Sequence, residues 1–323
     1  MTHPNLRIVS LIPSATEIVA ALGLQDALVG RSHECDYPAE IQPLPVCTQP
    51  KFNPVGSSPE IHDRVTDLLQ AALSVYQVKT DVLEELQPTH ILTQAQCEVC
   101  AVSLTEVEQA VATLTHLQPE IISLQPNVLA DVWTDIQRVA EALGVESYAV
   151  IEKLRSRVEA CQKKTQTLPK TACPTVTCIE WTDPLMAAGN WIPELIQFAG
   201  GQPILGVAAH NSSWLKWESL LMADPAVLIF MPCGFDRDRT RQEVRPLTQQ
   251  PEWQRLQAVR TNEVYIVDGN QYFNRPGPRL VDSLEIVAEI LHPELFHFGY
   301  EGTGWERWSA EVQAITPPKI ASS

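Results

Sequence analysis

The chain has 323 residues, 45% hydrophobic and 19% charged, enough to bury sizeable cores and too apolar to be disordered. Against 39 Asp and Glu it carries 23 Lys and Arg, and the net charge of −16 argues against a general nucleic-acid binder and against adhesion to an acidic membrane surface. The acid is unevenly spread: residues 1–150 hold 6 basic and 19 acidic side chains, and residues 151–323 hold 17 and 20.

Met1 to Asn5 has no basic stretch, and the apolar segment Arg7–Ile12 is too short for a secretion signal. No run approaches the ~18 apolar residues of a membrane span. These features predict a cytoplasmic protein, or else the processed form of an exported one. Arg7–Ile12 reads as a strand that Pro13 stops. Ser14 and Glu17 are spaced as a capping box for the helix that follows, with Gly23 at its end. Leu28–Arg31 reads as a second strand, and the Pro-, Ser- and Asn-rich residues 43–60 as loop. Helices are expected at Val65–Leu73, Thr80–Leu86, Leu104–Leu117 and Val128–Leu143, with strands at His90–Thr93 and Glu120–Leu124. Such alternation implies a mostly parallel sheet covered on both faces.

In Ser147–Leu168, the residues Ile151, Leu154, Val158 and Cys161 fall on one helical face, opposite Lys153, Arg155, Arg157, Lys163 and Lys164. A helix of ~20 residues spans roughly 30 Å, stiff enough to join two lobes. Beyond it the theme repeats. Strands are expected at Thr175–Trp181, Ala226–Met231 and Glu263–Val267, and helices at Pro193–Ala199, Trp217–Met222, Thr240–Gln249 and Pro278–Leu291. The expected fold class is α/β, with two Rossmann-like lobes (1–145 and 169–295), a linking helix (146–168) and a C-terminal tail (296–323).

Open α/β sheets bind ligands beyond the carboxyl ends of their strands. Here those loops hold Trp181, Trp191, Tyr272 and Phe273, with Gln271, Arg275 and several asparagines. Rings with amides and one guanidinium suit a large, flat, amphipathic ligand. His33, Cys35, Cys97 and Cys100 could together supply a metal site, against the simpler reading of reduced thiols. No Walker loop, GxGxxG, GxSxG or HExxH is present, so the chain is expected not to be an enzyme. Arg237, Arg239, Arg241 and Arg245 alternate with acids and read as a salt-bridged helix start.

The segments RIVSLIPSATE (7–17), GRSHECDYP (30–38) and NQYFNRPGPR (270–279) resemble the cobalamin-binding substrate proteins of ABC importers, the helical-backbone (class III) group that also carries ferric siderophores and haem. CEVC (97–100) and NRPGPR resemble a subgroup that often lacks an export signal. The resemblance implies two lobes, one linking helix and a corrinoid held between them without catalysis or a required cofactor, in an ABC-transporter-type substrate-binding protein or a cytosolic corrinoid carrier. Motif by motif, it places ligand-binding aromatics at Tyr37, Trp214 and Tyr272, beside Gln271 and Arg275. It also implies one acid per lobe that docks a transporter permease, here Asp81 and Glu218. Asn53–Lys79 is longer than in exported relatives and is expected to reshape the first lobe. The alternatives are a metal or metallochelate binder (haem, siderophore or zinc) using the His/Cys loops, or an enzyme on the same scaffold.

Overall fold

A computed structural model describes residues 6–70, 75–95, 104–114 and 118–309. The chain begins with β1 (Ile8–Ser10), α1 (Pro13–Ala21), β2 (Leu28–Arg31), β3 (Thr48–Pro50) and α2 (Ser58–Gln70). It continues with β4 (Tyr76–Val78), α3 (Thr80–Leu86), β5 (His90–Gln94), α4 (Leu104–Ala112), β6 (Glu120–Leu124) and α5 (Leu129–Leu143). Strands β2-β1-β5-β6 form a parallel sheet, and β3 and β4 make a small antiparallel pair. Both faces are covered, which is why Ile91 and Leu92, on opposite sides of β5, are fully buried.

α6 (Tyr148–Thr165) follows as one uninterrupted helix, and it buries Ile151, Leu154, Val158 and Cys161, the stripe read from the sequence. Then come β7 (Thr175–Thr182), β8 (Leu185–Ala187), α7 (Ile192–Phe198), β9 (Gln202–Pro203), β10 (Ser213–Trp214) and α8 (Trp217–Ala223). The remainder is β11 (Val227–Phe230), α9 (Arg237–Leu247), α10 (Gln257–Arg260), β12 (Val264–Val267), α11 (Leu280–Leu291) and β13 (Trp305–Arg307). The second sheet runs β10-β8-β7-β11-β12-β13, with β9 alongside β7. Its centre, β7, β11 and β12, is parallel, and β8, β10 and β13 are antiparallel additions at its edges.

One hydrophobic core runs through both sheets. It joins Ile18 of α1, Ile136 of α5, Leu154 and Val158 of α6, Leu195 of α7 and Leu284 of α11. Two further clusters fill the outer face of each sheet. Arg157 fixes the linking helix to the second lobe by bonds to Asp282 (2.5 Å) and Glu285 (2.6 Å).

Three expectations change, and three edge strands were not anticipated. α1 starts on Pro13 with Ile12 as its N-cap, so Ser14 is not the cap: its buried hydroxyl has no partner among the described residues, and Glu17 turns elsewhere. Residues 43–60 are not all loop, because β3 lies inside them and α2 begins at Ser58, where Glu60 accepts from the Ser57 amide and hydroxyl at 2.7 and 2.9 Å. The expected tail from 296 instead supplies β13 and buries Phe296, Trp305 and Trp308. The edge strands β8, β9 and β10 have only two or three residues each, too few to show a period.

Candidate functional site

Three distant segments meet where the carboxyl ends of the two sheets approach each other. Glu17 of α1 receives two bonds from the Arg279 guanidinium, at 2.6 and 3.0 Å, and both side chains are buried. Arg275 spans Asp36 (2.5 and 3.1 Å), approaches Glu17 at 3.6 Å and also binds the Asn270 side chain. Burial works to raise the Asp36 pKa, but the Arg275 guanidinium outweighs it and holds the carboxyl below the usual aspartate value. The Arg279 guanidinium lies 4.0 Å from the centre of the Tyr37 ring and 5.5 Å from that of Tyr272. Gly277 makes this approach possible: a side chain there would come within 3.2 Å of the Ser14 carbonyl.

A second bridge uses other residues. Glu243 on α9 accepts from the Ser58 hydroxyl (2.6 Å) and amide (3.1 Å), and pairs with Arg239 at 2.5 Å. Arg239 also donates to the Gly56 carbonyl. The Ser58 hydroxyl lies 2.9 Å from that of Thr182, at the end of β7. His62 meets Trp214 edge-on, with centroids 5.1 Å apart. The arginine-rich start of α9 is salt-bridged as expected, with Asp236 as N-cap and Arg241 on Asp238 and Glu306.

Of the expected ligand-binding residues, Tyr37 is 47% and Trp214 60% exposed, Gln271 is exposed, and Trp181 is half-buried with its ring 5.3 Å from Phe235. Tyr272 is half-buried between Arg279 and Tyr300. Trp191 and Phe273 are corrections. Both are core residues, the indole N–H donating to the Phe273 carbonyl at 2.9 Å, and neither has a ring face to offer. Arg275 is likewise almost wholly buried, and its charge is paired with Asp36 of the other lobe.

The metal-site expectation finds no support among the described residues, where no group of three or more His, Cys, Asp or Glu could hold an ion. The Cys35 thiol is buried against the Thr16 hydroxyl (3.0 Å), and burial pushes its pKa up to about 12. His33 bonds Thr48 at 2.7 Å, and burial, with Lys79 and Arg31 nearby, lowers it to about 4. Cys97 and Cys100 lie outside the described residues. Sequence reasoning missed Asp36, Ser58, Arg239, Glu243 and Arg279 as bridging groups. The acid–base alternation of α9 hinted at Arg239 and Glu243, and the motif segments 30–38 and 270–279 contain Asp36 and Arg279.

Glu180, at the bulge where β8 joins β7, is not paired with a cation among the described residues. Burial raises its pKa to about 7, against the lowering effect of the Ser212 hydroxyl at 2.7 Å. A carboxyl whose pKa is raised by folding stabilises the fold fully below its unfolded value of 4.5, and that contribution is lost as pH climbs through about 7. Urea midpoints of the wild type should therefore fall between pH 5 and pH 8 relative to Glu180→Gln. Parallel pH profiles for the two proteins would contradict this.

Two parallel-sheet units, bridged across their strand ends and tied by one long helix, define a class III solute-binding fold. The periplasmic binding protein family model matches residues 8–270. The chain belongs to this family, whose function is solute binding for ABC transport. An uncharacterized ABC transporter substrate-binding lipoprotein, YvrC, of Bacillus subtilis (strain 168) is 26% identical over 301 residues, spanning 90% of this chain and 81% of that one. A vitamin B12-binding protein of Vibrio cholerae serotype O1 is 23% identical over 305 residues, 89% of this chain and 90% of that protein. The structure of periplasmic vitamin B12-binding BtuF from Vibrio cholerae superposes with a TM-score of 0.63 at 19% identity, over 90% of this chain and 98% of that one. That of the periplasmic heme-binding protein RhuT from Roseiflexus sp. RS-1 gives 0.61 at 22%, over 89% and 98%. By name these relatives are a lipoprotein and periplasmic proteins, so they lend no support to a cytoplasmic placing. Among the described residues no helix is long and apolar enough to cross a membrane.

Proposed function

We propose that this chain binds cobalamin or a related corrinoid, without catalysis, between its two lobes and presents it to an ABC transporter. The observation that carries the reading is the pair of exposed rings on opposite lobes, Tyr37 after β2 and Trp214 on β10, with Trp181 and the Gln271 amide at the strand ends. Rings offer a corrin its apolar contact, and amides pair with its peripheral amides. Relatives called vitamin B12-binding that match along nine-tenths of their length support the same choice of ligand.

Docking is supported by a correspondence between the lobes. α3 and α8 are each seven residues long and each end on a left-handed residue, Gln87 (φ 46°) and Asp224 (φ 40°). Pro88 and Pro225 follow, leading into β5 and β11. Asp81 and Glu218 occupy the same place in the first turn of these helices, and both are exposed.

Titration with cyanocobalamin, followed by tryptophan emission, tests the ligand. Saturable quenching is expected, and Trp214→Ala should weaken it about tenfold, the loss expected for one ring buried by the ligand. Absence of saturation up to several hundred micromolar would overturn the reading, and saturable quenching by haemin alone would replace the corrinoid with haem.

A further inference from the structure

α2 crosses from the first lobe to the second, and its described side chains, residues 58–68, do little to hold it to its own. Among residues 58–68 the only buried side chain is Ser58, and it faces Thr182 and Glu243 of the other lobe. Ile61, Val65 and Leu68 are only half-buried, and none of the side chains described along residues 58–68 joins a hydrophobic core cluster. Its anchors are polar: Glu243 on Ser58, Arg239 on Gly56, and the edge contact between His62 and Trp214. Segments with few apolar contacts open locally at low free energy. Thr182 ends β7, and Glu243 follows the loop that leaves β11, so the start of α2 lies over the strand ends where ligands of such sheets bind. The other bridge differs in kind, since Glu17, Arg275 and Arg279 are all buried within the packed lobes.

From this asymmetry we infer that α2 is a releasable cover of the cleft, latched by Glu243, and that cargo enters and leaves by its release while the Glu17–Arg279 side stays closed. Ser58 and Glu243 are positioning residues in this device: they set access, not affinity for any one group. The inference rests on the cleft being the ligand site, as proposed above.

Thr182, 2% exposed under Ser58, gives a ligand-free readout. In full-length Thr182→Cys, alkylation at position 182, located by peptide mass, should be slow. Adding Glu243→Gln should speed it about tenfold, the expected effect of losing a hydrogen bond to a charged group. Ser58→Ala should act in the same direction. Stopped-flow mixing with cyanocobalamin should then show association and dissociation both faster in Glu243→Gln, with their ratio nearly unchanged. Alkylation at the same rate with and without the latch overturns the cover. So does faster alkylation with unchanged binding rates. If the wild type does not bind cyanocobalamin, the corrinoid reading fails, and the alkylation rates alone decide the cover.

Discussion

Glu17→Met should lower the stability of this protein by about 3–5 kcal/mol, the usual cost of stripping one partner from a buried ion pair. The carboxylate is 2% exposed, and the Arg279 side chain that it binds through two nitrogens is 9% exposed. With Glu17 gone, Arg275 keeps its bonds to Asp36, but Arg279 loses its hydrogen-bonded carboxylate and keeps the faces of Tyr37 and Tyr272 and the more distant charge of Asp36. Ring faces offset part of a guanidinium's lost hydration, roughly 0.5–2 kcal/mol, which is less than the desolvation of an unpaired cation. A urea titration should show a lower midpoint at an unchanged slope. Adding Arg279→Met should restore much of the loss, because two apolar side chains of similar length tolerate burial better than one lone charge. A single-variant loss under about 1 kcal/mol would mean that the pair is solvated and that the lobes are not clamped there.

Gly269→Ala should cost about 1–3 kcal/mol and displace the loop that carries Gln271 and Tyr272. A Cβ at this position would stand 2.4 Å from the Pro232 carbonyl oxygen and 2.9 Å from both carbonyl atoms of Met231. These are backbone atoms of the segment leaving β11, and they cannot turn aside as the end of a long side chain could. The loop after β12 must move instead, and the Asp268 carboxylate would lose its grip on the Gln271 amide, now 2.8 Å away. Thermal unfolding should fall, and near-ultraviolet circular dichroism should change through Tyr272. An unchanged midpoint with an unchanged spectrum would place the two loops farther apart than the structure has them.

Periodicity made the lobes and the linking helix legible, because each long element buries one apolar stripe. Ile151, Leu154, Val158 and Cys161 are the clearest case. The edge strands were not legible, since two residues of β9 or β10 carry no pattern and their pairing comes from the neighbours that they add to. At the site, the motif segments pointed to the right place and partly to the wrong purpose. Arg275 reads as a ligand group until its partner, 239 residues away in sequence, is seen to be Asp36. Glu17 reads as half of a capping box because its spacing from Ser14 is right, but its acceptor oxygens serve a lobe-to-lobe pair. Trp191 and Phe273 sit at strand ends as expected, and which way their rings turn depends on α7 and α11, which no local window contains.

The hydrophobic core shared by α1, α5, α6, α7 and α11 bears on how the chain can be taken apart. A polypeptide cut at residue 146 would leave one half with the bare apolar flank of α5 and the other with that of α6, each built to be covered by the opposite piece. Neither fragment is a self-sufficient folding unit, so the whole chain should melt in one cooperative step. Recombining lobes from different relatives would then succeed only where the seam along the linking helix is carried over with them.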